Sequence, residues 1–207
     1  MADSRRRRLV LLRHGRTAWN RIDRAQGHAD VALDEVGQHQ AKQAAAALAE
    51  LDPVLLWTSD LVRARQTAAQ LEEATGLVAR PDPRLREYDL GIRTGLTRPE
   101  FAATHPEVYQ AWLAGADGPR VEGEEHHDDV RRRMVPALQE MLAALGDGET
   151  GIVVSHGACL KATLPRLLGW EAVNPATIVG MDNCAWAVVV RASPELPARL
   201  AAYNVSV

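Results

Sequence analysis

The chain alternates between short apolar runs and longer amphipathic stretches. Leu9–Leu12, Val54–Trp57, Leu77–Arg80, Gly151–Val154, Ala185–Val190 and Leu200–Val205 read as strands, the last of them at a sheet edge. The first and fourth are almost unbroken by polar residues, the pattern of strands covered on both faces. Helical stretches lie between them. One starts at Asp34, carries Ala41, Ala44, Ala45 and Leu48, and stops at Asp52-Pro53. A second is capped by Thr58-Ser59-Asp60 and ends near Gly76. Residues 97–118 predict one or two short helices, with Gly115 and Gly118 as breakers. Val130, Met134, Leu138, Met141, Leu142 and Leu145 form the apolar face of a long helix that runs to Gly146. Ala158–Leu168 is the next helix, Asn174-Pro175 a turn and Gly180–Asn183 a bend. Strands alternating with helices predict an α/β fold.

Two strands end in the same way. Leu9–Leu12 stops at Arg13-His14-Gly15, and Gly151–Val154 stops at Ser155-His156-Gly157. In open α/β sheets, ligands bind just past the carboxyl ends of strands. A cation, an imidazole and small polar residues (Thr17, Asn20) at one strand end make an anion site with a nucleophile in it. Gly15 is expected to let the backbone turn and approach a bound group. The second strand delivers Arg63, in the first turn of its helix, to the same edge, and helix N-termini themselves attract anions. The repeated strand-His-Gly end predicts that His156 shares this pocket.

The run LVLLRHGRTAWN, the segment SDLVRARQTA around Arg63 and the segment LREYDLG around Glu87 together resemble the histidine phosphatase superfamily, also called phosphoglycerate-mutase-like. That resemblance implies a three-layer α/β/α sandwich with a mostly parallel central sheet. It also implies one domain over residues 1–207 and a small helical cap over the pocket from an insertion at 92–128. His14 would be the nucleophile, forming a phosphohistidine, and Glu87 the general acid. Arg13, Arg63 and His156 would hold the transferred phosphoryl group, with Asn20 adding a hydrogen bond. The loop carrying Gln26-Gly27-His28 would contact substrate, with Gln26 and Gly27 in the binding set. One departure stands out. Many members continue Gly-x-Trp-Glu-Gly after the acid, whereas this chain has Gly91-Ile92-Arg93-Thr94-Gly95. That leaves the acid in place and puts inherited specificity in question. Gly180–Trp186 and the ending YNVSV resemble one sugar-phosphate phosphatase of the superfamily, over a smaller part of the chain.

Composition narrows the partners. The chain has 207 residues, 46% apolar and 25% charged, with a net charge of −3. Nucleic acid and anionic membranes are therefore not expected as partners. The basic run Arg5–Arg8 reads as a solvated arm. No apolar run is long enough for a membrane span, and no secretory signal is recognisable, so a cytoplasmic location is expected. Cys159 and Cys184 make no disulfide framework. The cluster EGEEHHDD at 122–129 lacks zinc-ligand spacing and reads as an acidic helix start. Phe101, Tyr109 and Trp112 read as the core of the cap rather than as a binding stripe.

No cofactor and no metal are expected, because arginine and histidine supply the positive charge and no Walker A loop is present. The expected activity is phosphomonoester hydrolysis of a small phosphorylated metabolite, a sugar phosphate or phosphoglycerate derivative. The alternatives are a 2,3-bisphosphoglycerate-dependent phosphoglycerate mutase and a non-catalytic phospho-ligand binding protein. Members with mutase activity are usually longer, with a further insertion beyond the acid. The sequence leaves a homodimer open.

Overall fold

A computed structural model describes residues 6–114, 122–170, 173, 177–193 and 195–207. Arg5, Gly115, Gly118 and the Asn174-Pro175 turn lie outside the described residues. The elements in chain order are β1 (Arg7–Arg13), α1 (Ala18–Arg21), α2 (Glu35–Ala49), β2 (Pro53–Thr58) and α3 (Val62–Thr75). They continue with β3 (Arg80–Pro81), α4 (Arg98–Thr104), α5 (Pro106–Leu113), α6 (His127–Ala143), β4 (Thr150–Ser155), α7 (Gly157–Leu167), β5 (Trp186–Arg191) and β6 (Arg199–Val205). Short 3-10 turns cover Pro83–Leu85 and Gly91–Arg93.

The six strands form one sheet in the order β3-β2-β4-β1-β5-β6. β1, β2, β3 and β4 run parallel, β5 pairs antiparallel with β1, and β6 pairs antiparallel with β5, so that β6 again runs in the direction of β1. β6 lies at one edge, as expected, and β3 at the other. The apolar run in β1 is explained by its two covered faces. Leu9 and Leu11 pack into one core with Met134, Leu138 and Met141 of α6 and Leu160 of α7. Val10 and Leu12 pack into the other with Ala41, Ala45 and Leu48 of α2 and Ala64 and Ala68 of α3. β4 sends Val153 to the first core and Ile152 and Val154 to the second. Each large side chain buried this way contributes roughly 1.5–3 kcal/mol. The result is the expected three-layer α/β/α arrangement. No helix among the described residues is long and apolar enough to cross a membrane.

The β1–β4 pairing positions the functional strand ends. Arg13 lies beside Ser155 in the parallel register, and the His14 N–H donates to the Ser155 carbonyl at 3.0 Å. Both histidines therefore leave the sheet side by side.

Some boundaries differ from the sequence expectation. The third strand shrinks to Arg80–Pro81, because Val78 is 79% exposed and has no sheet neighbour to pack on. The cap of α3 is not Thr58-Ser59-Asp60: Leu61 is the N-cap residue, with no side-chain cap bond of its own. The carboxylate of Asp30 instead accepts from Val62 N at 2.6 Å, from 32 residues upstream. Gly15 also has a different reason. A Cβ there would lie 2.4 Å from the Gly37 carbonyl oxygen, so the glycine lets β1 pack on the start of α2 rather than on a ligand. The contact is reciprocal, because a Cβ on Gly37 would lie 1.9 Å from the Arg16 carbonyl oxygen.

This pair yields a prediction of sign. Alanine is favoured over glycine inside a helix by about 1 kcal/mol, yet overpacking costs about 1–3 kcal/mol, and here the obstacle is backbone. Gly37→Ala is expected to destabilise by about 3 kcal/mol in urea denaturation. Gly76→Ala, where the added Cβ meets nothing within 4 Å, is expected to cost only the left-handed strain of about 1–2 kcal/mol. Equal losses at the two positions would refute this account of the junction.

Candidate active site

His14 is 3% exposed and sits at the floor of a cavity of ≈ 670 Å³. Its Nδ1 lies 2.7 Å from the Gly15 carbonyl oxygen. A carbonyl only accepts, so Nδ1 carries the proton and the lone pair is on Nε2. No group among the described residues bonds Nε2. Burial, then the nearby Arg63 and Arg13 guanidinium groups, hold the imidazole well below its ordinary pKa. Both effects favour the neutral ring, with its Nε2 lone pair unprotonated. Its backbone is pinned as well. Gly15 N–H donates to Thr67 Oγ1 at 3.1 Å, and Asn183 Nδ2 donates to the His14 carbonyl at 3.1 Å.

The His156 ring centroid is 5.1 Å from that of His14, so the two strand ends bring their histidines together, although His156 is fully buried behind the cavity and does not line it. Its ring nitrogens are both engaged. Nδ1 accepts from Arg63 Nε at 3.2 Å, and Nε2 donates to Ser59 Oγ at 2.8 Å. Burial, followed by Arg63 and His14, keeps this ring neutral too.

Arg63 is 1% exposed, an unusual burial for arginine. Its remaining protein bonds run from Nη1 to the Ala29 carbonyl and from Nη2 to the Gly27 carbonyl, both at 2.8 Å. Guanidinium has five N–H groups, so two stay available for an anion. Arg13 donates from Nη1 to the Met181 carbonyl, and its Nε is buried with no partner. Gly157 makes room for it, since a Cβ there would lie 3.1 Å from Arg13 Nε. Desolvation is the largest influence on both guanidinium groups and lowers both pKa values, while Glu87 opposes it.

The Glu87 carboxylate is held by three backbone N–H groups. Oε1 accepts from Cys159 N at 2.8 Å and Tyr88 N at 3.0 Å, and Oε2 accepts from Ala158 N at 3.0 Å. Two N–H groups at the N-terminus of α7 are thus taken by Glu87, and the Val62 N–H at the start of α3 by Asp30. Asn20 accepts at Oδ1 from Thr17 N at 3.1 Å and Asn183 Nδ2 at 3.3 Å, which leaves its own Nδ2 as a donor on the cavity wall. Thr17 itself is fully buried in a capping box with Asn20 and is not a phosphate donor. Gln26 and Gly27 line the cavity, and Gln26 Oε1 is buried without a partner. Cys159 is buried, its thiol pushed well up by desolvation, and its N–H rather than its sulfur serves the site.

The aromatic residues do pack on one another: Tyr109 lies edge-on to Phe101 at 5.6 Å and 5.7 Å from Trp112, and Phe101 is 4% exposed. Phe101 and Trp112 also line the outer cavity. Arg93 lies over the Phe101 ring at 4.2 Å and donates from Nη1 to Glu124 Oε1 at 2.6 Å. The sequence departure at Arg93 therefore faces the ligand space. Thr67, Asn183 and Gly37 were not singled out by sequence as parts of the His14 support. Thr67 and Asn183 do fall inside the quoted segments SDLVRARQTA and Gly180–Trp186.

Comparison with known proteins agrees with this geometry. The sequence profile of the histidine phosphatase superfamily (branch 1) matches residues 9–203. The chain belongs to that superfamily. It is 39% identical over 191 residues to the glucosyl-3-phosphoglycerate phosphatase of Mycobacterium tuberculosis (strain CDC 1551 / Oshkosh), covering 88% of this chain and 84% of that protein. A relative from Erwinia tasmaniensis named "Probable phosphoglycerate mutase GpmB" is 32% identical over 177 residues, covering 86% of this chain and 81% of that one. Among solved structures, a mycobacterial glucosyl-3-phosphoglycerate phosphatase complexed with VO3 superposes with a TM-score of 0.86 at 37% identity, covering 97% of this chain and all of that one.

The buried histidines make stability pH-dependent. Both pKa values are lowered on folding, so below pH about 6.5 the unfolded chain binds more protons and stability falls as pH falls. His14→Asn removes one such group. Between pH 7 and 5 the wild type is expected to lose about 2 kcal/mol more than the variant in denaturant titrations. Identical losses would show that His14 is not held neutral by the fold.

Proposed function

We propose that the protein is a phosphomonoesterase acting through a phosphohistidine on His14, with a sugar-linked phosphoglycerate as its substrate class. The observation that carries this is the His14 imidazole, with its proton locked on Nδ1 and its Nε2 free beside two buried guanidinium groups. In the first step Nε2 attacks phosphorus, the ester P–O bond breaks, and Glu87 gives a proton to the leaving oxygen. In the second, Glu87 takes a proton from water, the water oxygen attacks phosphorus, and the P–N bond breaks. Net, one water is consumed and alcohol and phosphate leave.

Arg13, Arg63 and Asn20 neutralise the equatorial oxygens, and His156 joins them by exchanging its bond to Ser59 for one to the phosphoryl group. Residues 92–128 act as the cap, with Arg93, Phe101 and Trp112 offering a cation and aromatic faces to the part of the substrate beyond the phosphate. The mycobacterial relatives and the cavity's size support the sugar-linked phosphoglycerate; positive charge from arginine makes a metal unnecessary.

A panel of phosphomonoesters assayed for phosphate release in EDTA tests the reading. Glucosyl-3-phosphoglycerate is expected to be the best substrate. Arg63→Ala is expected to lose at least about 10²-fold in kcat, the usual cost of one preorganised donor. Interconversion of phosphoglycerates with 2,3-bisphosphoglycerate outrunning phosphate release would make it a mutase. Phosphate-ester binding with no turnover would make it a binding protein.

A further inference from the structure

The segment that carries Glu87 belongs to no helix or strand, yet it must hold a carboxyl group steady. Its backbone is gripped by one side chain from α6. Arg133 donates from Nη1 to the Arg84 and Arg86 carbonyls, each at 2.8 Å, and from Nη2 to the Glu87 carbonyl at 2.9 Å. Its other two N–H groups go to Glu125, Nε to Oε1 and Nη2 to Oε2, both at 2.8 Å. All five guanidinium donors are spent.

Glu125 closes the clamp on the far side of Glu87. Its Oε2 accepts from Asp89 N at 2.9 Å, and its own N–H donates to the Asp89 carbonyl at 2.9 Å. His28 Nε2 adds a second donor to the Glu87 carbonyl at 2.8 Å. The pair is partly buried, with Arg133 20% and Glu125 22% exposed at the side chain. Burial pushes the Glu125 carboxyl up, but the Arg133 bonds and charge together with the Asp89 N–H outweigh it, so it stays ionised and the clamp does not open near neutral pH. The neighbours Arg131 and Arg132 make only exposed i,i+3 pairs with Asp128 and Asp129, apart from one bond from Arg131 to the Ala162 carbonyl.

We propose that Arg133, braced by Glu125, is a positioning residue for proton transfer by Glu87. Holding carbonyls at 84, 86 and 87 fixes the Cα of Glu87, and the α7 N-terminus then fixes its carboxylate. This inference rests on Glu87 being the general acid.

The test uses two esters that differ in how much they need that acid. 4-Nitrophenyl phosphate has a leaving group that departs as an anion, whereas glycerol 3-phosphate has an alkoxide that must be protonated. kcat/KM reports phosphoryl transfer to His14 in both cases. Glu87→Gln is measured first, and general acids contribute about 10²–10⁴-fold. Arg133→Lys keeps the charge and loses the fork. It is expected to lower kcat/KM on glycerol 3-phosphate by about 10–100-fold, the scale of a small misplacement, and on 4-nitrophenyl phosphate by less than about 3-fold. The double variant is expected to be no worse than Glu87→Gln alone on glycerol 3-phosphate. Glu125→Gln is expected to show the same selectivity, and it decides the matter if Arg133→Lys does not fold. If Glu87→Gln is selective between the esters and the clamp variants are not, the positioning role is overturned. If Glu87→Gln itself slows both esters equally, the general-acid reading fails instead.

Discussion

The hydrogen bond from His14 Nδ1–H to the Gly15 carbonyl is the constraint on which the site depends. It selects one tautomer and turns the lone pair of Nε2 outward. A bond to the next residue's own carbonyl is only as rigid as the backbone between them. Here that backbone is held from three directions. Thr67 of α3 takes the Gly15 N–H, the start of α2 packs on Gly15 without a side chain between, and Asn183 and Cys184 donate to the His14 carbonyl. Elements from both ends of the chain thus converge on a single peptide unit.

The second constraint is charge. Two neutral imidazoles, two guanidinium groups and one carboxylate share one strand edge. Burying Arg63 is costly unless its donors are met, and the Gly27 and Ala29 carbonyls with His156 Nδ1 meet three of them. Two N–H groups of Arg63, the unpartnered Nε of Arg13 and the Asn20 amide remain as donors for the proposed phosphoryl group. Glu87 completes the balance from the opposite side, tied to α7 by its carboxylate and to α6 through Arg133.

Much of this was legible in the sequence because its causes are local. Leu9–Leu12 is apolar throughout because both faces of β1 are covered, and the residues that follow a buried strand must emerge at the sheet edge. The same logic read His156, and the spacing from Ser59 read Arg63. The illegible parts have distant causes. Asp30 caps α3 from another loop, Val78 is apolar but unburied, and Thr17 supports Asn20 instead of a ligand. Arg133 hides in Arg131–Arg133, where only the helix phase beside Val130 and Met134 turns one of the three inward. Phe101 and Trp112 read as core, and they do pack with Tyr109, but both also line the cavity. Their position at the cavity depends on where α4 and α5 pack, which spacing does not encode.

The central claim is that His14 becomes covalently phosphorylated through Nε2. The most direct measurement is rapid acid-free quenching of the enzyme during turnover of a ³²P-labelled phosphomonoester, followed by peptide mapping. The account predicts label on the peptide carrying His14, stable to alkali, released by acid, and absent from His14→Ala. Turnover without any labelled protein, or label on a residue other than His14, would contradict it.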